Sequence, residues 1–497
     1  MARGDPDRTF DVVIVGGGIV GAMIAREISR YLVKTALLEK EMDVAGGSTK
    51  ANSAIIHAGF DPEPGTLKAS LNVKGAALYP GIAGELGVEY TQSGSLVVAI
   101  GEEEAPVLEV LLERGKRNGV AALEIVGKDR LFRMEPGLSR AAVAALFAPS
   151  AGIICPFRLA IAAAENAVCN GVRLFRDCAV TGVVLEGSRV KGVETTRGFF
   201  ACDYVVNAAG VHADEVARSA GDDSISIRPR RGQYHVLDKA HAGLVTRVVF
   251  PVPTKVSKGI VVTPTIDGNV LIGPTAEDID DKEDTTTTEA GLADVVTGAA
   301  RLVPGVVDAL PPITQYSGLR AVEKSGDFVV AASPVVSGLV NAAGIQSPGL
   351  SAAPAIAEMV LEILREQGLK TPPNPGFNPE RKTRRRFAVS SDAERDIAAS
   401  ARADCGHIVC RCESVTRAEV VDALRGPLGA VTLDGVKRRT RAGMGRCQGG
   451  FCTPRIIPIV AAELGVRPED LLKNEPGSRL LGGATKAAGA RDGGSEA

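Results

Sequence analysis

The sequence lacks several features that would assign it to other classes of protein. No apolar run approaches the ~20 residues that a helix needs to cross a bilayer, and the opening MARGDPDRTF has no signal-peptide core. The 57 basic and 59 acidic residues nearly balance, which gives no reason to expect nucleic acid. Nine cysteines are present without the regular spacing of a secreted disulfide framework. We therefore expect a cytoplasmic protein without a transmembrane segment and without a nucleic-acid partner.

The first strand and helix carry a dinucleotide-binding pattern. Residues 10–15 (FDVVIV) predict a buried parallel strand. Gly16, Gly18 and Gly21 follow as G-x-G-x-x-G before an amphipathic segment, and the next predicted strand, KTALLEK, includes Glu39. Such glycines let a pyrophosphate approach the helix N-terminus, and the acid binds ribose hydroxyls. The sequence predicts one dinucleotide site, and without a second such pattern after a strand we expect no separate NAD site.

Later segments indicate which dinucleotide is bound. The run GGSTKANSAIIHAGFD is rich in small and hydroxylated residues, 202–210 predicts a strand ending in small residues, and 338–364 predicts a strand, a glycine loop and a helix. A helix N-terminus there could stabilise negative charge on a reduced flavin. Over roughly residues 8–368 the chain resembles the D-amino-acid-oxidase superfamily of FAD enzymes. The resemblance implies FAD contacts at Gly16, Gly18, Gly21, Glu39, Ser48, Thr49, Asn52, Ser53, Gly210, Gly344, Gln346, Ser347, Gly349 and Leu350.

The same resemblance implies an α/β fold, with a Rossmann-type FAD-binding domain interleaved with a mixed-sheet α+β substrate domain. Within 8–370, we expect FAD-binding parts at about 8–80, 150–224 and 326–368, and substrate parts at about 81–149 and 225–325. The segments RRGQYHVL and GIVVTPTIDGNVLIGPT alternate apolar and polar residues around an Asp-Gly-Asn turn, as hairpin strands do. The segment SGLRAVEKSGDFVV has a similar pattern.

Four cysteines further along the chain form two close pairs. Cys410 and Cys412 are spaced C-x-C, and Cys447 and Cys452 are spaced C-x4-C. Four such thiolates can hold either a zinc ion or an iron–sulfur cluster. The basic stretch before Cys447 would ease the burial of a negatively charged [2Fe–2S] core, and nearby glycines free N–H groups to point at the sulfurs. Cys405 is expected to be a spare thiol.

This pattern resembles the bacterioferritin-associated-ferredoxin (BFD) type of [2Fe–2S] domain, which implies a small helical domain at 405–475 with the four paired cysteines as ligands. Structural zinc is the alternative. The Pro-rich stretch from residue 371 predicts a semi-extended linker over 371–404, and 476–497 should be a disordered tail. Thr416 and Glu419 predict a capping box at the start of a helix that reaches about Arg425.

Proton transfer has few candidate residues, because the chain contains five histidines. His57 follows the predicted FAD-binding segment, and imidazole suits proton abstraction near neutral pH. The resemblance implies that this histidine faces the flavin, so we expect His57 to be the base; covalent flavin attachment and simple packing are alternatives. His235 is a second candidate. Arg320 and Arg231 are the cations that we expect on the substrate, because a guanidinium binds carboxylate or phosphate bidentately; structural roles are the alternative.

The two-domain combination resembles the catalytic subunit of anaerobic-type glycerol-3-phosphate dehydrogenases. It implies oxidation of glycerol 3-phosphate to dihydroxyacetone phosphate, with electrons passing through FAD and the [2Fe–2S] cluster to an NAD-linked or quinone-linked partner subunit. The run from ANSAIIHAGF is more similar to L-2-hydroxyglutarate oxidases, and the arginine- and tyrosine-bearing motif of aerobic glycerol-phosphate enzymes is absent. A 2-hydroxy acid is thus the alternative small anionic substrate. A subunit that only relays electrons is the alternative from another class.

Overall fold

The structure, a computed structural model, describes residues 6–253, 259–383 and 385–483. The chain divides into two compact units, with the boundary between residues 384 and 385. The first unit contains three sheets, and the second contains a two-stranded sheet with short helices. None of the helices in the described ranges has the length and apolar character needed to cross a membrane.

The strands of the first unit are β1 (Thr9–Val15), β2 (Thr35–Leu38), β3 (Ile55–Ile56), β4 (Tyr90–Thr91), β5 (Ser95–Ile100), β6 (Glu124–Gly127), β7 (Ala142–Ala148), β8 (Gly152–Ile154), β9 (Arg173–Phe175), β10 (Val180–Glu186), β11 (Arg189–Thr195), β12 (Phe200–Asn207), β13 (Ile227–Leu237), β14 (Val248–Pro251), β15 (Val261–Pro264), β16 (Val270–Gly273), β17 (Glu277–Asp278), β18 (Thr314–Glu323), β19 (Val329–Ala332) and β20 (Leu339–Ala343).

Its helices are α1 (Ile19–Ile28), α2 (Leu67–Leu86), α3 (Ala105–Arg117), α4 (Lys128–Met134), α5 (Pro156–Cys169), α6 (Ala213–Ser219), α7 (Glu289–Leu302) and α8 (Gly349–Glu366). The second unit contains α9 (Asp392–Ala401), β21 (Ile408–Cys410), β22 (Val415–Thr416), α10 (Arg417–Arg425), α11 (Leu433–Thr440) and α12 (Thr453–Leu464).

The first sheet has the order β10-β11-β12-β1-β2-β9, and β20 also pairs with β12. Its centre is parallel, because β1 pairs in parallel with β2 and β12, and β12 pairs in parallel with β20. A parallel centre must be covered on both faces, which explains why Val12, Val13 and Ile14 are fully buried. Helices α1, α2, α5 and α8 pack against one another beside it. The carboxyl ends of β1 and β12 and the start of α1 therefore lie together.

The second sheet has nine strands in the order β17-β13-β16-β15-β14-β5-β7-β6, with β18 paired to β13. Its longest pairing runs antiparallel from Ile227, opposite Glu323, to Val236, opposite Thr314. Helix α7 packs on this sheet and closes a core that includes Val262, Ile272 and Val295, whereas α3 packs over a separate core through Leu108 and Leu111. In the second unit, α10, α11 and α12 close a smaller core around Val420 and Val460.

The predicted α/β class is confirmed, and the β15–β16 hairpin forms around the predicted turn. The capping box is confirmed, because Thr416 accepts from Glu419 N while the Glu419 side chain accepts from Thr416 N. The alternating segment 317–330 does not form a hairpin: β18 pairs with β13 in the second sheet and β19 pairs with β20 in the first, so the two strands lie on either side of the expected boundary at 325/326. Alternation of apolar residues predicts strands but does not select their partners.

The segment predicted as a linker, 371–404, contains more structure than a semi-extended chain. Asn374 donates to Ser29 O at 3.1 Å, Arg381 N donates to Glu85 O at 2.8 Å, and both contacts belong to the first unit. In the second unit α9 begins with a capping box at Ser391. The prediction of a disordered tail from 476 is wrong for its first residues, because Ser478 Oγ accepts from Asn474 N at 2.9 Å and Arg479 forms a β-bridge with Leu472; residues from 484 on lie outside the described ranges.

Candidate functional site

The loop between β1 and α1 brings three of the predicted glycines together. Gly16 has φ +104°, and a Cβ there would lie 2.5 Å from Ala208 O. A Cβ on Gly21 would lie 1.9 Å from Gly16 O, so the helix approaches the loop more closely than any side chain permits. Gly18 is the N-cap of α1 and provides no side-chain cap. The loop and helix start therefore form the tight turn that a pyrophosphate-binding site requires.

Glu39 lies just after β2 beside this loop. Its two carboxylate oxygens accept from Gly17 N at 2.7 Å and from Glu41 N at 2.9 Å. Burial raises the pKa of Glu39 to about 7, although both backbone hydrogen bonds favour the charged form. The carboxylate is thus fixed at the end of the strand, where a dinucleotide fold places its ribose-binding acid.

The predicted segment 48–53 connects the nucleotide loop to the second sheet. Thr49 Oγ1 accepts from Ile19 N at 3.0 Å, and Ser48 Oγ donates to Leu319 O in β18. Asn52 holds the segment in shape, because its amide donates to Thr49 O at 2.9 Å and accepts from Ala54 N at 2.8 Å. Ser53 Oγ lies 3.3 Å from Tyr234 OH. These four residues therefore lie between the start of α1 and strands β13 and β18.

A stacked pair of tyrosines borders the same segment and was not predicted. Tyr234 and Tyr316 are directly opposite each other in β13 and β18, with ring centroids 4.8 Å apart. Tyr316 OH donates to Asn52 O at 3.0 Å. Burial raises the pKa of Tyr316 well above its usual range, so its hydroxyl stays protonated and can donate. Each tyrosine lies on an alternating strand, but only the pairing of these strands reveals the contact.

His57 follows β3 and is held by the first turns of α8. Its backbone N–H donates to Ser351 Oγ at 2.7 Å, and its Nε2 lies 3.4 Å from Ser347 Oγ. Its ring also lies 5.6 Å from the Phe250 ring in β14. Ser347 lies just before α8 and Ser351 lies in its first turn, so both serine contacts of His57 come from the start of this helix.

The glycine loop before α8 has the conformation that its sequence requires. Gly344 has φ +65°, and a Cβ there would lie 2.7 Å from Glu323 Cβ. Gln346 O accepts from Gly349 N at 2.6 Å, and Leu350 O accepts from Tyr79 OH. The remaining predicted residue, Gly210, has φ +62° and faces open space, since a Cβ there would contact nothing within 4 Å.

The two predicted arginines have different surroundings. Arg231 is buried and donates to Glu277 at 2.9 Å, to Asp284 at 2.7 Å and to Thr286 at 2.9 Å. These partners occupy most of its five donors, and the contact with Glu277 raises its pKa. Arg320 in β18 has a single hydrogen bond within the described ranges, from Nη2 to Thr275 O at 3.1 Å. Of the two, Arg320 is the guanidinium with donors available to an anion.

Two other histidines of the first unit, His212 and His235, have structural contacts. His235 lies on β13 with Nε2 3.2 Å from Leu292 O in α7, and burial lowers its pKa. His212 lies 3.0 Å from both Glu215 and Glu283. Neither is brought to the loop around Ser347, so the structure favours His57 over His235 as a base.

The four predicted ligand cysteines form two pairs in the second unit. Cys412 Sγ and Cys447 Sγ are 3.7 Å apart, and Cys410 contacts Cys452 through a side-chain hydrogen bond. Two thiolates on one tetrahedral metal with ~2.3 Å bonds lie ~3.8 Å apart, which matches the first pair. Within the described ranges, no three His, Cys, Asp or Glu side chains surround a single metal position. Two pairs are the arrangement that a two-iron core requires.

Backbone N–H groups point at these sulfurs, as predicted. Gly443 donates to Cys410, while Gly449 and Phe451 donate to Cys447. The hydrogen bond between the two thiols lowers the pKa of Cys410 and raises that of Cys452, because one thiol donates its proton to the other. A Cβ on Gly445 would lie 2.2 Å from Cys412 Cβ, so the loop closes over that cysteine only with glycine there.

The basic stretch before Cys447 is only partly directed at the cysteines. Arg441 forms a buried ion pair with Glu413 at 2.6 Å, and Arg439 donates to Leu428 O at 2.7 Å. Burial lowers the pKa of Lys437, whose charge interacts with that of Cys452. Cys405 is buried, and the turn that ends at it packs against α9 and α10.

Comparisons with known proteins identify the same two domains. The family model "DAO: FAD dependent oxidoreductase" matches residues 11–363, and "BFD-like [2Fe-2S] binding domain" matches 408–462. A glycerol 3-phosphate dehydrogenase of Caloramator mitchellensis is 44% identical over 481 residues, covering 96% of this chain and 99% of that protein. The human mitochondrial L-2-hydroxyglutarate dehydrogenase is 34% identical over 301 residues, covering 55% of this chain and 62% of that protein.

The fold of the first unit has a solved counterpart. The structure of a dithionite-reduced L-alpha-glycerophosphate oxidase from Mycoplasma pneumoniae with FAD bound has a TM-score of 0.71 and 32% identity, covering 76% of this chain and 99% of that chain. The glycine turn, the acid after β2 and the two thiol pairs fit the two groups that these matches imply. The chain therefore belongs to the DAO family of FAD-dependent oxidoreductases and also carries a BFD-like [2Fe–2S] domain, so FAD and a [2Fe–2S] cluster are its cofactors.

Proposed function

We propose that this protein oxidises sn-glycerol 3-phosphate to dihydroxyacetone phosphate and delivers the electrons to an external acceptor. The observation that carries the proposal is the 44% identity to a glycerol 3-phosphate dehydrogenase, which covers 96% of the chain and so includes both the oxidoreductase and the iron–sulfur domain. When bound, FAD supplies the two-electron acceptor and the [2Fe–2S] cluster supplies a one-electron carrier.

The residues that would hold FAD surround the start of α1. The glycines of the turn would leave room for the pyrophosphate, and Glu39 would accept from a ribose hydroxyl. The other residues that would contact FAD are the segment 48–53, Gly210 and the loop 344–350. The N-terminus of α8, at Gly349, would favour negative charge on the reduced cofactor, because the helix dipole is positive at that end.

His57 would act as the base that takes the proton of the substrate hydroxyl. The hydrogen bond from its backbone to Ser351 and the 3.4 Å approach of Ser347 to its Nε2 hold the imidazole at the start of α8. Ser347 can orient the ring, because its hydroxyl can either donate to or accept from Nε2. A base fixed in this way removes the proton without first reorganising its own side chain.

Arg320 would bind the anionic end of the substrate. Its strand, β18, runs directly past the segment 48–53: a Cβ on Gly318 would lie 2.2 Å from Ala51 O. Arg231 lies opposite Leu319 in the adjacent strand, but its guanidinium is committed to Glu277 and Asp284. We therefore assign Arg231 to holding the segment 277–286 against the sheet, and Arg320 to the substrate.

The four cysteines would hold the cluster as the pairs 412/447 and 410/452. Electrons would leave to a partner subunit, either NAD-linked or quinone-linked, since a single dinucleotide-binding pattern is found in the sequence. We place this chemistry in the cytoplasm, where thiols stay reduced. Glycerol 3-phosphate and 2-hydroxy acids are both anionic secondary alcohols, so L-2-hydroxyglutarate is the second candidate, supported by the 34% identity over about half of the chain.

The test is to mix the purified holoenzyme, without oxygen, with sn-glycerol 3-phosphate and separately with L-2-hydroxyglutarate, and to follow flavin and cluster absorbance. We expect flavin bleaching with glycerol 3-phosphate, followed by cluster reduction. Bleaching with the hydroxy acid alone would change the substrate and keep the residue roles. If neither compound bleached the flavin, a subunit that relays electrons without a substrate site would replace the proposal.

A further inference from the structure

One surface of the second unit combines exposed thiols, positive charge and an exposed aromatic ring. Phe451 lies between Cys447 and Cys452 in the chain, and 39% of its surface is exposed. Its ring has the guanidinium of Arg411 at 4.9 Å from the centroid and that of Arg455 at 4.1 Å. We call this surface the Phe451 face; its exposed residues are Arg411, Cys412, Arg446, Cys447, Phe451 and Arg455.

The Phe451 face carries positive charge from the two guanidinium groups that stack on its ring. Arg411 and Arg455 form no ion pair with any acid in the described part of the chain, whereas nearby Arg441 is paired with Glu413 and Arg425 with Glu463. Stacking on an aromatic ring orients a guanidinium and leaves its N–H donors available. Exposed phenylalanine and arginine are also residue types enriched at protein–protein interfaces. The composition of the face therefore fits an acidic partner.

The two cysteine pairs differ in their access to this face. Cys410 and Cys452 are each 1% exposed, whereas Cys412 and Cys447 are exposed. An iron held by the outer pair would lie beneath the face, and one held by the inner pair would lie behind it. Electron transfer to another molecule requires close approach, so the outer pair marks the side on which electrons leave.

We propose that the Phe451 face is the docking surface for an acidic electron-transfer protein that oxidises the [2Fe–2S] cluster. Each encounter removes one electron from the cluster and adds one to the partner, so two encounters complete each oxidation of a substrate molecule. The inference rests on the proposed function only in that the four cysteines hold the cluster; it does not depend on which alcohol is oxidised.

The experiment measures how charge at the Phe451 face affects reoxidation of the cluster, without using the alcohol substrate. Holoenzyme is reduced with dithionite, freed of reductant and mixed with ferricyanide, a trivalent anion, or with hexaamminecobalt(III), a trivalent cation, while cluster absorbance is followed. The variant is Arg411→Gln/Arg455→Gln. The matched control, Arg467→Gln/Arg479→Gln, removes the same charge beyond the far end of α12, where both arginines contact Asp470.

In the variant, reoxidation by ferricyanide should slow about 5-fold at ~0.1 M ionic strength, taking each guanidinium ~10 Å from the oxidant in water. Reoxidation by the cobalt complex should accelerate by a similar factor, and both effects should vanish in high salt. The control should behave like the wild type. Fluorescein-labelled poly-L-glutamate, which has no redox chemistry, should bind the oxidised wild type and bind the variant several-fold more weakly by fluorescence anisotropy.

Three results would overturn the proposal. First, the rate of cluster reoxidation by ferricyanide could be the same in the Gln variant and the wild type at matched iron content. Arg411→Lys/Arg455→Lys, which keeps the charge, could lose as much rate as the Gln variant, which would make the loss structural. The Gln variant could instead slow electron passage from photoreduced flavin to the cluster, with ferricyanide rates unchanged; the face would then serve the protein's own FAD-binding unit. Because dithionite is the reductant, failure of glycerol 3-phosphate to bleach the flavin would not affect these measurements.

Discussion

The contact between Gly21 and Gly16 makes a quantitative prediction about FAD binding. In Gly21→Ala the new Cβ would lie 1.9 Å from Gly16 O, about 1.5 Å closer than the 3.4 Å at which ordinary contact begins. Gly16 O belongs to the backbone, and a Cβ is held rigidly on its own Cα. No side-chain rotation can therefore relieve the overlap, and α1 or the loop must move. Overpacking of this kind costs ~1–3 kcal/mol, and a loss of ~3 kcal/mol from FAD binding corresponds to about a 100-fold rise in Kd.

The assay is a titration of apoprotein with FAD, followed by flavin fluorescence, together with urea unfolding of the same apoprotein. The control is Gly81→Ala in α2, where an added Cβ would contact nothing within 4 Å and helix propensity alone predicts a gain of ~0.5–1 kcal/mol. We expect the Gly21 variant to lose FAD affinity while the control keeps it. If Gly21→Ala bound FAD within a factor of three of the wild type and unfolded at the same urea concentration, the close approach would have no energetic consequence and the argument would fail.

Three further predictions concern separate steps. Cys410→Ser should abolish electron delivery to the external acceptor and lower iron content, while flavin bleaching by substrate persists; loss of bleaching in folded protein would contradict the relay. His57→Gln should slow bleaching ~10²–10⁴-fold without a matching loss of FAD affinity, and a rate near that of the wild type would exclude His57 as the base. Because burial raises the pKa of Glu39 from 4.5 to about 7, apoprotein stability should fall as pH rises from 4.5 through 7, by ~3 kcal/mol at most; Glu39→Gln should flatten this dependence, and an unchanged slope would refute it.

The local features of the chain could be predicted because their causes are local. The turn at Gly16 and the helix start at Gly18 follow from residue identities over a few positions. The capping box at Thr416 and Glu419 formed as predicted, because both of its hydrogen bonds join residues three apart. The backbone N–H groups that approach Cys447 also come from within four residues of it.

Contacts between distant segments could not be predicted in the same way. The partners of Arg231 lie 46 and 53 residues away, and nothing at position 231 distinguishes an arginine held by acids from one that waits for a substrate. The expected boundary at 325/326 put β18 and β19 in different parts of the unit, but their partner strands were not predicted, because alternation is equally compatible with any partner. The stacking of Tyr234 on Tyr316 requires the pairing of β13 with β18. Because that pairing was not predicted, the stacking was not predicted either.

Helix α8 contacts both the loop predicted to bind the flavin and His57, the expected base. Its N-terminus lies after the glycine loop predicted to contact the flavin, and its Ser351 accepts the backbone N–H of His57 at 2.7 Å. A shift of this helix would therefore move the expected base and the expected source of positive potential together. The position of His57 is fixed through its backbone, and Ser347 Oγ lies 3.4 Å from its Nε2, close enough to orient the ring.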